Sequence, residues 1–325
     1  MMAGTASATG LRLWPEEFES LRAEARGLVE AFFAANPRGP KATDPAERLR
    51  QGRALMESFV MESPRAEPQE LAGVPCRVFR PEGKVRGVYL DIHGGGMVWA
   101  SARNNDLANA TLSQDFGLAV VSVEYRLAPE HPFPAGPDDC FAVASWLLDG
   151  GAARLGSERL IIGGESAGAY LAALTLLRVR DKVGTTSSFL GANLVFGVYD
   201  LGGTPSQSGQ RASDALDVLD PDELDFVRDS YLPGLSNEER RDPAISPLYA
   251  DLNGLPPALF TVGTADHVLD DSLFMANRWA AAGNQAELAV YPDCGHGFVL
   301  FPTELGRRGK ARIETFIRDL VEAAG

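Results

Sequence analysis

Arg159-Leu160-Ile161-Ile162-Gly163-Gly164-Glu165-Ser166-Ala167-Gly168-Ala169-Tyr170 is the stretch whose reading decides the fold. Leu160 to Ile162 form a short apolar run that reads as a buried strand, and Ala167 to Leu177 read as a helix. Between them G-E-S-A-G matches G-x-S-x-G, the turn that exposes a nucleophilic serine at a strand-to-helix junction. Such a turn strains the backbone and brings chain segments close, so Gly164 and Gly168 fit there because they carry no side chain. The helix N-terminus that follows aims amide N–H groups and the positive end of its dipole at the serine. Taken alone, the pentapeptide equally describes an ordinary strand–helix turn with a capping serine, and the rest of the chain has to decide.

The chain has 325 residues, enough to bury a large core as one elaborated α/β domain or as two domains. Its net charge of −14, with no basic cluster, argues against a nucleic-acid partner and against an anionic membrane surface. No apolar run reaches the length of a membrane span, so no stable membrane insertion is expected. Met1 to Gly10 are small and polar and read as an unstructured lead-in; they show no charged and apolar regions of a signal peptide. The three cysteines, Cys76, Cys140 and Cys294, are widely spaced and odd in number. They suit reduced thiols in a cytoplasmic enzyme better than a disulfide frame or a metal site.

Trp14 to Ala35 carry apolar residues at helical spacing, and Asp44 to Val60 read as a second helix with Asp44 capping and Pro45 in the first turn. From Cys76 the pattern turns to strands alternating with helices. Strands are expected at Cys76–Arg80, Val85–Ile92, Leu118–Glu124, Leu160–Gly163, Ala192–Val198, Ala258–Val262 and Glu287–Tyr291. Helices are expected at Asn105–Phe116, Pro137–Leu148, Ser166–Val179, Asp270–Ala282 and Glu304–Ala323. That alternation predicts an α/β fold, a mostly parallel sheet covered on both faces. Residues 1–70 are expected to form an N-terminal helical cap segment and residues 71–325 the catalytic domain. Residues 201–247 break the rhythm and read as a lid-like insertion with one helix near Asp222 to Tyr231.

Three further pieces give the serine motif its meaning. His93-Gly94-Gly95-Gly96 follows a strand directly, and a glycine run there lets backbone N–H groups approach a developing oxyanion. His93 is expected to brace that loop by hydrogen bonding. Val262-Gly263-Thr264-Ala265-Asp266 puts a carboxylate just past a strand end, and Cys294-Gly295-His296-Gly297-Phe298 puts a histidine past the last strand. Loops at the carboxyl edge of such a sheet converge. Ser, then Asp, then His is the order along the chain of the α/β-hydrolases. Of the four histidines, His131 lies in a Pro-rich loop and His267 abuts Asp266, which leaves His296 as the base. Asp270, Asp271 and Asp293 are the other acid candidates.

Over residues 75–320 the chain resembles the hormone-sensitive-lipase-like branch of the α/β-hydrolases, the bacterial family IV esterases. The likeness rests on H-G-G-G at 93–96, E-Y-R-L-A-P-E-H-P-F-P-A at 124–135, G-E-S-A-G at 164–168, S-P-L at 246–248, L-P-P-A at 255–258, G-T-A-D at 263–266 and H-G-F at 296–298. The resemblance implies Ser166 as nucleophile, Asp266 as acid, His296 as base, and an oxyanion hole made by the amides of Gly95, Gly96 and Ala167. It also implies an N-terminal helical cap over the site. Hydrolysis of small to medium acyl esters through an acyl-enzyme follows, with no cofactor and no metal. Met97, Trp99, Phe196, Tyr199, Phe298 and Val299 flank these motifs and are candidate walls of the substrate pocket. Two positions depart from the family pattern: Glu165 stands where Asp or Thr is usual, and Ala169 replaces a further Gly. Amide or peptide cleavage by the same triad, and ligand binding without hydrolysis as in the plant gibberellin receptors, are the rival functions. A homodimer through the last strand and helix is common among relatives.

Overall fold

A computed structural model describes residues 12–35, 39–208 and 219–323. The lead-in expected over residues 1–10 lies outside these, as does part of the expected insertion, 209–218. The first expected helix divides in two: Pro15 precedes a 3-10 turn, Glu16–Leu21, which runs into α1, Arg22–Ala35. Helix α2, Pro45–Ser58, opens as the sequence suggests, with the Asp44 carboxylate accepting Glu47 N–H at 2.8 Å. A strand not expected from the sequence follows. β1, Glu67–Leu71, turns back at Ala72-Gly73 into β2, Val74–Phe79. Both turn residues have positive φ, 52° and 79°, the geometry of a two-residue hairpin whose twist matches its strands.

The α/β alternation then runs β3 Gly87–Ile92, α3 Asp106–Phe116, β4 Leu118–Val123, α4 Ala135–Trp146, α5 Ala152–Leu155, β5 Leu160–Glu165, α6 Ala167–Val183 and β6 Phe189–Val195. It continues with α7 Pro205–Ser208, α8 Pro221–Tyr231, β7 Ala258–Gly263, α9 Leu269–Ala281, β8 Ala286–Tyr291 and α10 Glu304–Ala323. The eight strands form one sheet in the order β1-β2-β4-β3-β5-β6-β7-β8. β1 and β2 pair antiparallel, as do β2 and β4; every other pairing is parallel.

Period-two alternation sorts the strand residues onto two faces. Tyr89, Leu118, Val120 and Ile161 face Phe116 of α3 and Ile317 and Val321 of α10. Val88, Leu90, Val121 and Ile162 face the larger cluster built from α4, α6 and α9. Helices on both faces leave no wet side, so β3, β4 and β7 are buried at every residue and read as mostly apolar runs. Because β3, β5, β6, β7 and β8 run parallel, their carboxyl ends lie along one edge of the sheet. The loops that leave that edge carry His93 to Gly96, Ser166, Asp266 and His296.

Candidate active site

Ser166 sits between β5 and α6 with φ 56° and ψ −120°, a conformation costly for a residue with a side chain. The glycines around it answer a steric demand. A Cβ on Gly164 would lie 2.3 Å from Ile92 O, and one on Gly168 would lie 1.8 Å from the same oxygen. β5 and the start of α6 therefore press directly on the end of β3. The turn is held in place by Ser166 N–H donating to Val195 O at 2.8 Å. Ala167 opens α6, so its N–H belongs to the first turn, where helical amides have no partner within the helix.

The acid and histidine loops are joined backbone to backbone. Thr264 N–H donates to Tyr291 O and Ala265 N–H to Cys294 O, each at 2.9 Å, while Asp293 N–H reaches Thr264 Oγ1 at 2.8 Å. Asp266 is fully buried. Its carboxylate accepts Val268 N–H at 3.0 Å and lies 2.9 Å from His296 Nδ1. His296 Nε2 in turn lies 2.9 Å from Ser166 Oγ. Three loops remote in sequence thus meet in one relay. The other acid candidates bond elsewhere. Asp270 accepts Ser206 N–H, and Asp293 pairs with Arg22 and Arg26. Asp271 accepts from Tyr199 N, Asp200 N, Thr204 and Gln207. Cys294 is buried, and burial pushes its thiol up to about 12, so it stays a neutral packing group near the imidazole.

The glycine loop leaves β3 beside this relay. Gly95 has φ 93°, and a Cβ there would lie 2.4 Å from that of Ala100, so the tight turn requires glycine. His93 is fully buried and stacks on Tyr125, with ring centroids 4.2 Å apart. Its Nδ1 lies 2.8 Å from Gly94 O, the bracing contact expected of it. Burial pulls its pKa down to about 4, so the ring is neutral. Behind the loop lies a polar cluster that sequence reasoning did not single out: Asp91, Asn105, Asn109 and Ser122, with Glu165. An acidic residue in the middle of Val88-Tyr89-Leu90-Asp91-Ile92 was the available signal, since a buried carboxylate there needs donors.

The six candidate pocket residues divide. Phe196 packs its ring 4.8 Å from that of His296, and Phe298 stands 6.4 Å from Phe196. Phe298 and Val299 also lie against Gly309 of α10. Met97 and Tyr199 are buried in the core cluster. Trp99 turns toward α2 and α8. It stacks on Phe226 of α8 at 5.7 Å, and it lines a cavity of about 620 Å³ whose other walls include Arg53 and Met56 of α2, Glu124 and His131. Among the described residues no His, Cys, Asp and Glu cluster forms a metal site, and no helix is long and apolar enough to cross a membrane.

A profile of the alpha/beta hydrolase fold matches residues 89–300. The chain belongs to the α/β-hydrolase family, in its hormone-sensitive-lipase-like branch. Among relatives, it is 35% identical over 240 residues to carboxylesterase NlhH of Mycobacterium tuberculosis, covering 71% of this chain and 73% of that protein. An esterase of Acinetobacter venetianus is 31% identical over 238 residues, 72% of this chain and 75% of its own length. Among solved structures, a hormone-sensitive lipase from a metagenome library superposes with a TM-score of 0.77 at 30% identity, covering 91% of this chain and 98% of that one. A hyperthermophilic esterase from the archaeon Pyrobaculum calidifontis gives 0.74 at 28% identity, covering 87% and 94%.

Proposed function

We propose that this protein hydrolyses small to medium acyl esters with Ser166, His296 and Asp266 as a catalytic triad and an acyl-enzyme as intermediate. Its carboxylesterase relatives support the ester class, and one observation carries the mechanism: Ser166 Oγ, His296 Nε2, His296 Nδ1 and Asp266 lie in sequence at 2.9 Å and 2.9 Å. Neutral His296 donates Nδ1–H to Asp266 and presents the Nε2 lone pair to the serine hydroxyl. As Ser166 Oγ bonds to the ester carbonyl carbon, its proton passes to His296 Nε2. The carbonyl π electrons move to oxygen, and that oxyanion is held by the N–H groups of Gly95, Gly96 and Ala167. The intermediate collapses, the C–O bond to the alcohol breaks, and the alkoxide takes the proton from His296. Water then repeats the sequence on the acyl-enzyme and frees the acid. Asp266 stabilises the imidazolium formed in each step without taking its proton.

No step draws on a cofactor. Three unpaired, buried cysteines support the cytoplasm as working compartment. The deciding experiment measures turnover of chromogenic esters over an acyl-length series, beside an anilide of the same acyl group. Wild type should cleave esters far faster than the anilide. Ser166→Ala should lose turnover while melting at the same temperature, and a fully active Ser166→Ala protein overturns the proposal.

A further inference from the structure

Gly95 N–H shares a rigid peptide plane with the Gly94 carbonyl, and a trans peptide points the two in opposite directions. Whatever holds the Gly94 carbonyl therefore aims the Gly95 N–H. Tyr125 donates its hydroxyl to the carbonyls of His93 and Gly94, at 2.9 Å and 3.2 Å, and His93 Nδ1 adds its contact to Gly94 O. The other peptide group of Gly94 is held from the opposite side, where Glu165 Oε1 accepts its N–H at 2.9 Å. The fit is close: a Cβ on Gly94 would lie 2.8 Å from Glu165 O. Glu165 is joined in sequence to Ser166, so one strand end carries both the serine and the grip on the glycine loop.

Glu165 is seated by a second carboxylate. Asn105 Nδ2 lies between the two, 3.4 Å from Glu165 Oε2 and 3.3 Å from both oxygens of Asp91. Asp91 also accepts from Asn109 at 2.7 Å and Ser122 at 2.6 Å. We propose that Glu165 is a positioning residue for ester hydrolysis: lodged against the Asp91 cluster, its carboxyl fixes Gly94 and thereby the direction of the oxyanion-hole amides. This rests on the triad reading above and gives the departure at position 165 a physical role.

Glu165 is half-buried, with its carboxyl group held between Gly94 N–H and Asn105. That burial, with Asp91 beside it, pushes Glu165 up to about 8, and burial pushes Asp91 upward too. The other charged or titratable neighbours are Tyr89 on β3, Asp106 on α3 with its partner Arg77 on β2, and Glu124 and Tyr125 after β4. At neutral pH the pair keeps a proton. Losing it places a second negative charge behind a loop that has to hold an oxyanion, so kcat/KM should fall on the alkaline side.

The test compares wild type, Ser166→Ala, Glu165→Ala and Glu165→Gln on a short-chain p-nitrophenyl ester from pH 6 to 10. Glu165→Ala should lower kcat by about tenfold or more, with KM changed by less than about twofold. Glu165→Gln should rescue much of that loss, because its amide oxygen can accept Gly94 N–H while the side chain carries no charge to gain. It should also lose the alkaline decline centred near pH 8 in wild type. If Glu165→Ala keeps wild-type kcat and pH profile, the proposal is overturned. If Glu165→Ala does not fold, an unchanged alkaline limb in Glu165→Gln overturns it. A wild type that is inactive, or no more active than Ser166→Ala, overturns the triad reading and this proposal with it. An active wild type, a dead Ser166→Ala and indifferent Glu165 variants overturn this proposal alone.

Discussion

The carboxyl edge of the sheet and the N-terminal helices are held by different forces. Leu160, Ile161 and Ile162 behind Ser166 are fully buried, as are Val262 and nearly all of β7. Each such side chain removed from water contributes about 1.5–3 kcal/mol, and salt does not screen that contribution as it screens an ion pair. The loops above them are then fixed by backbone hydrogen bonds. The N-terminal helices bury little: α2 has no buried residue and α1 has Ala25 alone. They are tied down by ion pairs together with a few ring contacts, such as Phe32 on Phe301. Arg22 and Arg26 pair with Asp293 just before the His296 loop, while Lys41 and Arg48 pair with Asp220, Asp222 and Glu223 at the start of α8. Surface pairs contribute about 0–1 kcal/mol each and are screened by salt. Chemistry that needs fixed geometry thus stands on apolar burial, and the N-terminal helices rest more on contacts that yield.

The largest expected effect lies on the buried side. Asp266→Asn should lower kcat by a factor on the order of 10⁴ with little change in KM, because the amide favours the wrong imidazole tautomer. If Asp270→Asn has that effect instead, the acid is misassigned.

A smaller effect comes from the buried titratable groups, read in stability. The native Glu165–Asp91 pair holds a proton that the unfolded chain has released above the ordinary carboxylate range, with Glu165 at about 8. The native state therefore binds more protons, and stability falls as pH rises toward 8, by at most about 1.4 kcal/mol per unit. His93 acts in the opposite sense. Unfolded, it takes a proton near pH 6.5; folded, it resists until about 4, so its contribution is lost as pH falls through that window. Between pH 6.5 and 8 the pair dominates. Melting temperature should drop across that interval in wild type and stay flat in Glu165→Gln; parallel slopes in the two proteins would show that the pair carries no shared proton.

At the N-terminal helices the effects shrink. Trp99 joins α2 and α8: it stacks on Phe226, and a Cβ on Gly52 of α2 would lie 2.4 Å from its Nε1. Trp99→Ala should shift the acyl-length profile more than it shifts kcat on the shortest ester, and an unchanged profile would remove Trp99 from the pocket. The smallest effect belongs to Arg48, whose guanidinium also lies 4.6 Å from the Phe226 ring centroid. Arg48→Ala should cost about 1 kcal/mol or less in a thermal melt, with the difference shrinking at high salt. A much larger, salt-insensitive loss would mean these helices are as firmly built as the sheet edge, and the contrast would fail.

Much of the sheet edge was legible because its residue types have no local substitute. Gly164 and Gly168 are required by the oxygen of Ile92, and apolar runs mark strands buried on both faces. β1 was not legible. Glu67-Pro68-Gln69-Glu70-Leu71 is an edge strand, mostly exposed, and polar residues with a proline are what an edge tolerates. Trp99 looked like a wall beside the glycine loop, but the partner that fixes its direction, Phe226, lies on another element.

By itself the sequence determined the α/β alternation, the strained serine turn, the glycine run and the order of Ser166, Asp266 and His296, since each follows from neighbours along the chain. Only the tertiary structure decided which of four nearby carboxylates reaches His296, and why Glu165 stands before the serine. Those answers depend on distances between loops and on burial around Asp91, and both arise only when β3, β5, β6, β7 and β8 are laid side by side.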